Sequence, residues 1–222
     1  MKKKIIGIFV VMLLISTILP ITGTVFAGDE NDPEIKDNYN DQFGALVEYP
    51  TRMRTRIALT LLQIDSFDFI DIDSAWFYEN ELESEYLYTA LKLKDLRINS
   101  QRAIYSIHWT FNGAAYAVGS HIYNNGQNYS CFVGLDKRFN NNWQKAEVSF
   151  DFDRNIITFK IDKKHIGNPQ LGDYLTRTYA WTALRFNFEP LCLLFSDGEL
   201  VKDCAPFIEN NNEYGKNYMI QY

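Results

Sequence analysis

The chain has 222 residues, and its 22 lysines and arginines against 28 aspartates and glutamates give a formal net charge of −6 at pH 7. This acidic balance argues against nucleic acid or anionic lipid as a partner. The length suits one domain with a sizeable core, and the high content of tyrosine and phenylalanine is typical of an all-β domain that also exposes a stacking surface.

The first 27 residues have the features of a signal peptide. Three lysines at positions 2–4 precede an apolar run from Ile5 to about Pro20, and the ending Val25-Phe26-Ala27 suits a signal peptidase. We therefore predict cleavage after Ala27 and a secreted or cell-surface location. Cleavage would remove three lysines and leave 19 basic against 28 acidic residues, a net charge of −9. The alternative is an uncleaved anchor, and only then would the protein contact a membrane.

Two segments follow the predicted cleavage point. Residues 28–45 are rich in aspartate, glutamate and asparagine, which favours an acidic flexible leader. Residues 46–222 are expected to form one β-sandwich domain. Within them, only Thr51 to Gln63 suggests a helical turn.

Apolar and polar residues alternate with a period of two through most of this domain. Tyr86 to Lys94 alternates, and so does Glu147 to Asp153, with Val148, Phe150 and Phe152 on one face. The segments Ile70 to Tyr78 and Thr176 to Phe186 are apolar on both faces, as in central strands. The pattern predicts an antiparallel β-sandwich with jelly-roll or immunoglobulin-like layers, about 9–11 strands and little helix.

Asn112-Gly113 between two apolar runs predicts a hairpin with a type I′ turn. This turn fixes which residues face each other. The predicted pairs are Phe111–Ala114, Trp109–Tyr116, His108–Ala117 and Ile104–His121. Both histidines then lie on the outer face, four residues or roughly 13 Å apart, which argues against a metal ion shared between them. Small residues around them leave a shallow trough, either an ordinary wetted face or a binding groove.

No motif for nucleophilic or metal-dependent catalysis is present. The chain has no Gly-x-Ser-x-Gly and no His-Glu-x-x-His. Ser120 and His121 point to opposite faces of a strand, so they cannot form a dyad. Asp71 and Asp73 share one strand face, which is more compatible with solvent or calcium than with the opposed carboxyls of a glycosidase. We therefore expect a protein that is not an enzyme and needs no cofactor, with structural calcium as the one alternative.

The strongest candidate for a binding surface is the strand near residue 180. Tyr179, Trp181, Ala183 and Arg185 share one face, and aromatic rings beside an arginine can stack on a sugar and bind its hydroxyl groups. With His108 and His121 they form the predicted ligand site. The alternative is that Trp181 belongs to the core.

Three cysteines and one sequon complete the candidate sites. Cys131, Cys192 and Cys204 allow at most one internal disulfide, and Cys192–Cys204 is the nearest pair in sequence. The alternative is three buried thiols. Asn128 begins an Asn-Tyr-Ser glycosylation sequon.

Two longer runs resemble a known family. IDSAWFYENELESEYLYTALKLKDL (Ile72 to Leu96) resembles the opening strand pair of DOMON and family 9 carbohydrate-binding (CBM9-like) sandwiches, and NIITFKIDKKHIGNPQLGDYL (Asn155 to Leu175) resembles their amphipathic strand and proline-bearing turn. The likeness covers about Ile70 to Phe188 and extends to accessory domains beside secreted prokaryotic proteases.

The resemblance implies three functions, which we rank. The first is a non-catalytic module that binds a polysaccharide or cell-surface glycan between aromatic side chains, often with structural calcium. The second is a structural or protease-associated domain that binds another secreted protein. The third is a haem- or metal-binding DOMON-type module, whose methionine and histidine ligands would have to come from Met53 or Met219 and from His108 or His165.

Overall fold

The structure is a computed structural model that describes residues 28–37, 68–97, 102–123, 128–135, 144–185, 199–206 and 214–222. Almost all of its regular structure is β. The strands in chain order are β1 (Ile35–Lys36), β2 (Ile72–Tyr78), β3 (Tyr86–Leu93), β4 (Arg102–Phe111), β5 (Ala114–Tyr123), β6 (Asn128–Leu135), β7 (Gln144–Lys145), β8 (Glu147–Asp151), β9 (Ile156–Asp162), β10 (Tyr174–Arg185), β11 (Glu199–Ala205) and β12 (Tyr218–Met219). Two short 3₁₀ turns are also present, Glu81–Glu83 and Lys163–Ile166.

The strands form two antiparallel sheets that pack face to face, which confirms the predicted all-β sandwich. The smaller sheet has the order β1-β2-β3-β9-β8. The larger sheet has the order β11-β10-β4-β5-β6-β7, and β12 pairs with the beginning of β10. Among the described residues, no helix is long and apolar enough to cross a membrane.

The core lies between the two sheets and is built by the predicted alternation. Every second side chain of β3 from Leu87 onward is buried, as the alternation predicts: Leu87, Thr89, Leu91 and Leu93. Phe77 of the smaller sheet meets Trp109 of the larger sheet edge to face, with ring centroids 5.8 Å apart. Burial of a large apolar side chain stabilises a fold by about 1.5–3 kcal/mol, so this interior layer supplies the main driving force for closing the sandwich.

The hairpin of β4 and β5 forms as predicted. Asn112 and Gly113 both have positive φ, 48° and 76°, as a type I′ turn requires. All four predicted cross-strand pairs, from Phe111–Ala114 to Ile104–His121, are observed. The register therefore places His108 and His121 on the outer face of the larger sheet.

The hairpin of β8 and β9 differs from the prediction at one residue. β8 ends at Asp151, and residues 152–155 form the turn. Phe152 consequently lies outside the strand and is 45% exposed, whereas Phe150 packs against the core. The alternation of side chains between two faces applies only while the backbone stays extended.

The first described residues also differ from the flexible leader that their composition suggests. Ile35 is fully buried in the core, and β1 pairs with β2. Glu30 forms ion pairs with Lys92 and Arg154, so part of the acidic charge neutralises lysine and arginine of the domain. The predicted signal peptide and the segment Thr51 to Gln63 lie outside the described residues.

Candidate functional site

The candidate site lies on the outer face of the larger sheet, where aromatic side chains from five parts of the chain come together. Tyr179 and Trp181 project from β10, as the sequence predicts, and His108 projects from β4. We call this surface the aromatic face. Its ring-bearing residues are His108, His121, Phe132, Tyr179, Trp181 and Tyr214.

Three of these rings form a row. The rings of His108 and Tyr179 are stacked, with centroids 4.4 Å apart and an interplanar angle of 7°. The ring of Tyr214, just before β12, lies 6.5 Å from Tyr179 and is tilted against it by 51°. Tyr214 is 39% exposed, so this row ends in a ring that is open to solvent.

A second row crosses the sheet between Trp181 and Phe132. Trp181 is opposite Ser106, Ser106 is opposite Gly119, and Gly119 is opposite Phe132. Three strand spacings therefore separate the two rings, about 14 Å between their backbones. Both rings are half-buried, and the serine and glycine between them are buried. The two rings thus flank a floor of two buried residues that carry almost no side-chain volume.

Gly119 is required by this arrangement. A Cβ at this position would lie 2.8 Å from Cζ of Phe132 and 2.7 Å from the Tyr105 carbonyl oxygen. The Phe132 ring therefore leans across the glycine toward the centre of the face. His121 contacts the same ring edge to face, with centroids 5.2 Å apart.

Ser106 and His108 form a hydrogen bond that invites comparison with a catalytic dyad. Ser106 Oγ lies 2.9 Å from Nε2 of His108 and 3.1 Å from the Trp181 carbonyl oxygen. A carbonyl only accepts, so the single serine proton is donated to Trp181, and His108 must then donate its Nε2 proton to the serine. Such a histidine does not act as a base toward this serine. Ser106 is also only 3% exposed.

A pocket of about 400 Å³ lies next to the aromatic face. It is bordered by Tyr214 and by charged side chains of both signs, among them Asp32, Lys36 and Lys216. Lys216 and Asp32 form an ion pair across it. Because Tyr214 belongs to both features, the exposed end of the aromatic row leads directly into a polar depression.

The smaller sheet carries a second group of aromatic side chains on its outer surface. Tyr78 and Tyr88 are stacked there with centroids 5.0 Å apart. The ammonium group of Lys160, however, lies 4.1 Å from the centre of the Tyr86 ring and 5.7 Å from that of Tyr88. These ring faces already have a cation above them, which makes this surface less suitable for stacking a ligand.

Three carboxylates form the only group of metal-ligating residues found within the described ranges. Asp37, Asp71 and Asp203 each offer an oxygen within 4.8 Å of the others. Asp71 was a predicted calcium ligand, but its neighbours are these two residues rather than Asp73, which is exposed and lies 3.5 Å from Lys92. Calcium takes six to eight oxygen ligands. Here Lys94 Nζ is already 2.8 Å from Asp71 Oδ2.

The carboxyl group of Asp203 has a raised pKa. Burial raises the pKa of its carboxyl to about 7, and the nearby charges of Asp37 and Asp71 act in the same direction. The backbone N–H groups of Ile72 and Cys204 donate to its two oxygens at 2.7 and 2.8 Å and partly offset that rise. Asp203 of the larger sheet thereby binds the backbone of β2 in the smaller sheet.

The remaining predicted site residues are placed as follows. Arg185 ends β10 and Asn128 begins β6, but their side chains lie outside the described part of the structure. Cys192 also lies outside it, so its disulfide with Cys204 stays a prediction. Cys131 and Cys204 lie on strands β6 and β11 and are not bonded to each other. Burial raises the pKa of Cys131 to about 12, which makes its thiol unreactive.

For the haem alternative, the strand register relates one of the candidate pairs, Met219 and His108. Met219 is opposite Tyr174 on β10, and His108 is opposite Tyr179. Five residues of extended strand, roughly 16 Å, separate these positions, so the two cannot ligate one iron. Met53 lies outside the described residues.

The sequence did not identify Phe132 or Tyr214 as site residues. Phe132 joins the face only through the register between β5 and β6, and Tyr214 only through a contact with a residue 35 positions earlier in the chain. The one usable signal for Phe132 was Gly119, which has no side chain, since a glycine inside a strand often marks a close approach of another group.

Comparison of the chain with protein-family models, with curated proteins and with solved structures gave no match. The fold and the geometry of the aromatic face are therefore the basis for assigning a function. The resemblance to DOMON and CBM9-like sandwiches stays a prediction.

Proposed function

We propose that this protein is an exported, non-catalytic module that binds carbohydrate on its aromatic face. The observation that carries the proposal is the pair of rings, Trp181 and Phe132, that lie on one face of the sheet on either side of a floor made by Ser106 and Gly119. A sugar chain combines apolar C–H surfaces with hydroxyl groups, and sites for such ligands pair aromatic surfaces with a few polar groups.

The polar groups that such a site needs are next to the rings. The edges of His108 and His121 lie among them, and the hydroxyl-bearing Tyr214 ends the aromatic row beside the pocket. The buried floor means that a ligand would rest on the exposed parts of the rings rather than between the strands. An extended polysaccharide fits this geometry better than a single sugar, because the rings are spread across several strands.

Binding can be tested by titrating the whole mature chain with soluble neutral and acidic polysaccharides. Of the four tryptophans, Trp76 and Trp109 are buried and Trp143 lies outside the described residues. Fluorescence should therefore be measured in a Trp143→Phe background, where a change on binding should come mainly from Trp181. We expect Trp181→Ala and Tyr214→Ala each to weaken binding about tenfold or more, as aromatic anchors at the centre of an interface do. Calorimetry should be used with Trp181→Ala, because this variant loses the fluorescent reporter.

Two variants serve as matched controls. Tyr174 is 54% exposed and also belongs to β10. It is the first residue of the strand, away from Trp181, and it is paired with Met219. Tyr174→Ala should leave binding unchanged. Tyr86→Ala tests the smaller sheet and should also have no effect. Binding that survives Trp181→Ala and Tyr214→Ala, or no binding to any polysaccharide, would refute the proposal, and the latter would favour an interaction with another exported protein.

A further inference from the structure

The segment that follows the predicted cleavage point is a fixed part of the domain. Ile35 is buried in the core, and the Lys216 N–H donates a hydrogen bond of 2.7 Å to the Glu34 carbonyl. Glu30 and Asp32 are both paired with basic side chains, as described above. The chain immediately after residue 27 is therefore held in place from several sides.

Glu34 is the exception among the glutamates of this segment. Its Oε2 accepts the Phe77 N–H at 2.9 Å, and within the described residues no lysine or arginine forms an ion pair with it. Burial raises the pKa of its carboxyl to about 7; the charge of Lys216 opposes that rise and the charge of Asp32 adds to it. Tyr218 also lies within electrostatic range. The carboxylate thus lacks a close cation.

Gly28 lies directly against this carboxylate. A Cβ at Gly28 would overlap both oxygens and the carboxyl carbon of Glu34. The Gly28 nitrogen is about 2.5 Å from that Cβ position by covalent geometry, so it lies within roughly 5 Å of both oxygens. A small rotation of the first residue brings it to the distance of an ion pair.

We propose that Gly28 becomes the first residue of the mature chain and that its ammonium group binds the Glu34 carboxylate. In this step a signal peptidase adds water across the Ala27–Gly28 peptide bond. The carbonyl carbon of Ala27 takes the hydroxyl of the water and leaves as a carboxylate. The Gly28 nitrogen keeps its own proton, gains the other proton of the water and the proton of the new carboxyl group, and becomes an ammonium. The proposal rests on the export part of the proposed function but not on carbohydrate binding.

Processing would then supply the cation that Glu34 lacks. In the precursor the Gly28 nitrogen is a neutral amide with one N–H, whereas in the mature chain it carries a positive charge and three donors. The pair would fasten the beginning of the chain to β2 through the Phe77 N–H. The requirement for glycine also follows, because any side chain would push the terminus away from the carboxylate.

The pKa of the terminal amine provides a direct test. Five proteins are needed: the chain beginning at Gly28, the same chain with one alanine added before Gly28, each of these two with Glu34→Gln, and the first protein with Glu30→Gln. Competitive labelling of the α-amine across pH gives its pKa. We expect a value at least about one unit above the ordinary 7.7–8.0 in the Gly28 form, an ordinary value in Glu34→Gln, and no change in Glu30→Gln, which removes a nearby carboxylate that already has partners.

Thermal unfolding of the same proteins gives a second measurement. The Gly28 form should melt at a higher temperature than the alanine-extended form, and this difference should disappear when both carry Glu34→Gln. An ordinary amine pKa in the Gly28 form, or a melting difference that persists without Glu34, would overturn the ion pair. Mass spectrometry of the exported protein tests the processing separately: a first residue other than Gly28 overturns it. Failure to bind glycans would affect neither result.

Discussion

At the scale of single residues, the buried carboxyl of Asp203 should make stability depend on pH in an unusual direction. Its pKa of about 7 in the folded state lies above the ordinary value near 3.9 in the unfolded chain. Between these values the folded state binds the proton more tightly than the unfolded state does. The free energy of unfolding therefore falls as the pH rises from about 4 through 7. Most paired carboxylates have the opposite effect.

Asp203→Asn should remove this contribution. Asparagine can accept only one of the two backbone N–H groups that Asp203 binds, so the variant should be about 1 kcal/mol less stable than the parent near pH 5, where Asp203 is protonated in the folded state. The loss of free energy of unfolding between pH 5 and pH 8 should nevertheless be smaller than in the parent, by on the order of 2 kcal/mol. In a chain that is extended before Gly28, Glu34, whose pKa is also raised to about 7, should supply the slope that remains.

Urea unfolding at several pH values measures both effects. Asp153→Asn is a suitable control, because Asp153 is an exposed acid in the turn between β8 and β9. This variant should follow the parent at every pH. The interpretation of Asp203 would be wrong if Asp203→Asn and the parent lost the same stability between pH 5 and pH 8.

At the scale of elements, two glycines of the hairpin should respond differently to the same substitution. Gly113 has φ of 76°, but no atom lies within 4 Å of where its Cβ would be. Gly113→Ala should therefore cost only the backbone strain, about 1–2 kcal/mol. Gly119→Ala meets the Tyr105 carbonyl and the Phe132 ring below 3 Å, so overpacking should cost at least as much, up to about 3 kcal/mol. It should also disturb the aromatic face.

Urea unfolding and glycan binding separate the two cases. Gly113→Ala should lower stability and leave affinity unchanged, whereas Gly119→Ala should lower both. If Gly113→Ala weakened binding as much as Gly119→Ala does, the close packing of Phe132 over Gly119 would not be the relevant feature.

The elements that could be predicted are those whose signals are local. Asn112-Gly113 fixes a two-residue turn, and this alone determines which residues of β4 and β5 face each other. The alternation in β3 likewise needs only the period of a strand. Phe152 was misplaced because the alternation continues in the sequence after the backbone has turned at Asp151.

The parts that could not be predicted depend on contacts between distant residues. β1 was missed because one buried isoleucine in an acidic segment carries no periodicity, and the cations that neutralise Glu30 are more than 60 positions away. Of the aromatic face, Tyr179, Trp181, His108 and His121 followed from strand alternation and from the register of the hairpin. Phe132 required the register between β5 and β6, and Tyr214 a contact with a residue 35 positions earlier. The grouping of Asp71 with Asp203 required the packing of one sheet on the other.

At the scale of the whole molecule, a buried ion pair joins the two sheets to the end of the chain. Glu79, which follows β2, and Lys163, which follows β9, are both almost inaccessible and form an ion pair. Glu79 Oε2 accepts the Tyr218 hydroxyl at 3.1 Å and the Gln221 N–H at 2.6 Å. Lys163 Nζ donates to the Tyr222 carbonyl. The final residues are thus bound by both members of the pair, and through β12 they hold the larger sheet against the smaller one.

Removing the charge from one member of this pair should lower the free energy of unfolding more than removing the charge from both. Lys163→Met leaves Glu79 buried without its cation and should cost about 3–5 kcal/mol. Glu79→Gln keeps an acceptor for Tyr218 and Gln221 but carries no charge, so Lys163→Met should cost at least about 1 kcal/mol less in that background. Urea unfolding of the parent, the two single variants and the double variant measures this difference. If the losses in free energy of unfolding add within about 0.5 kcal/mol, the pair does not act as a unit. The last residues, 218–222, would then be held by their apolar contacts, chiefly those of Tyr218 and Ile220.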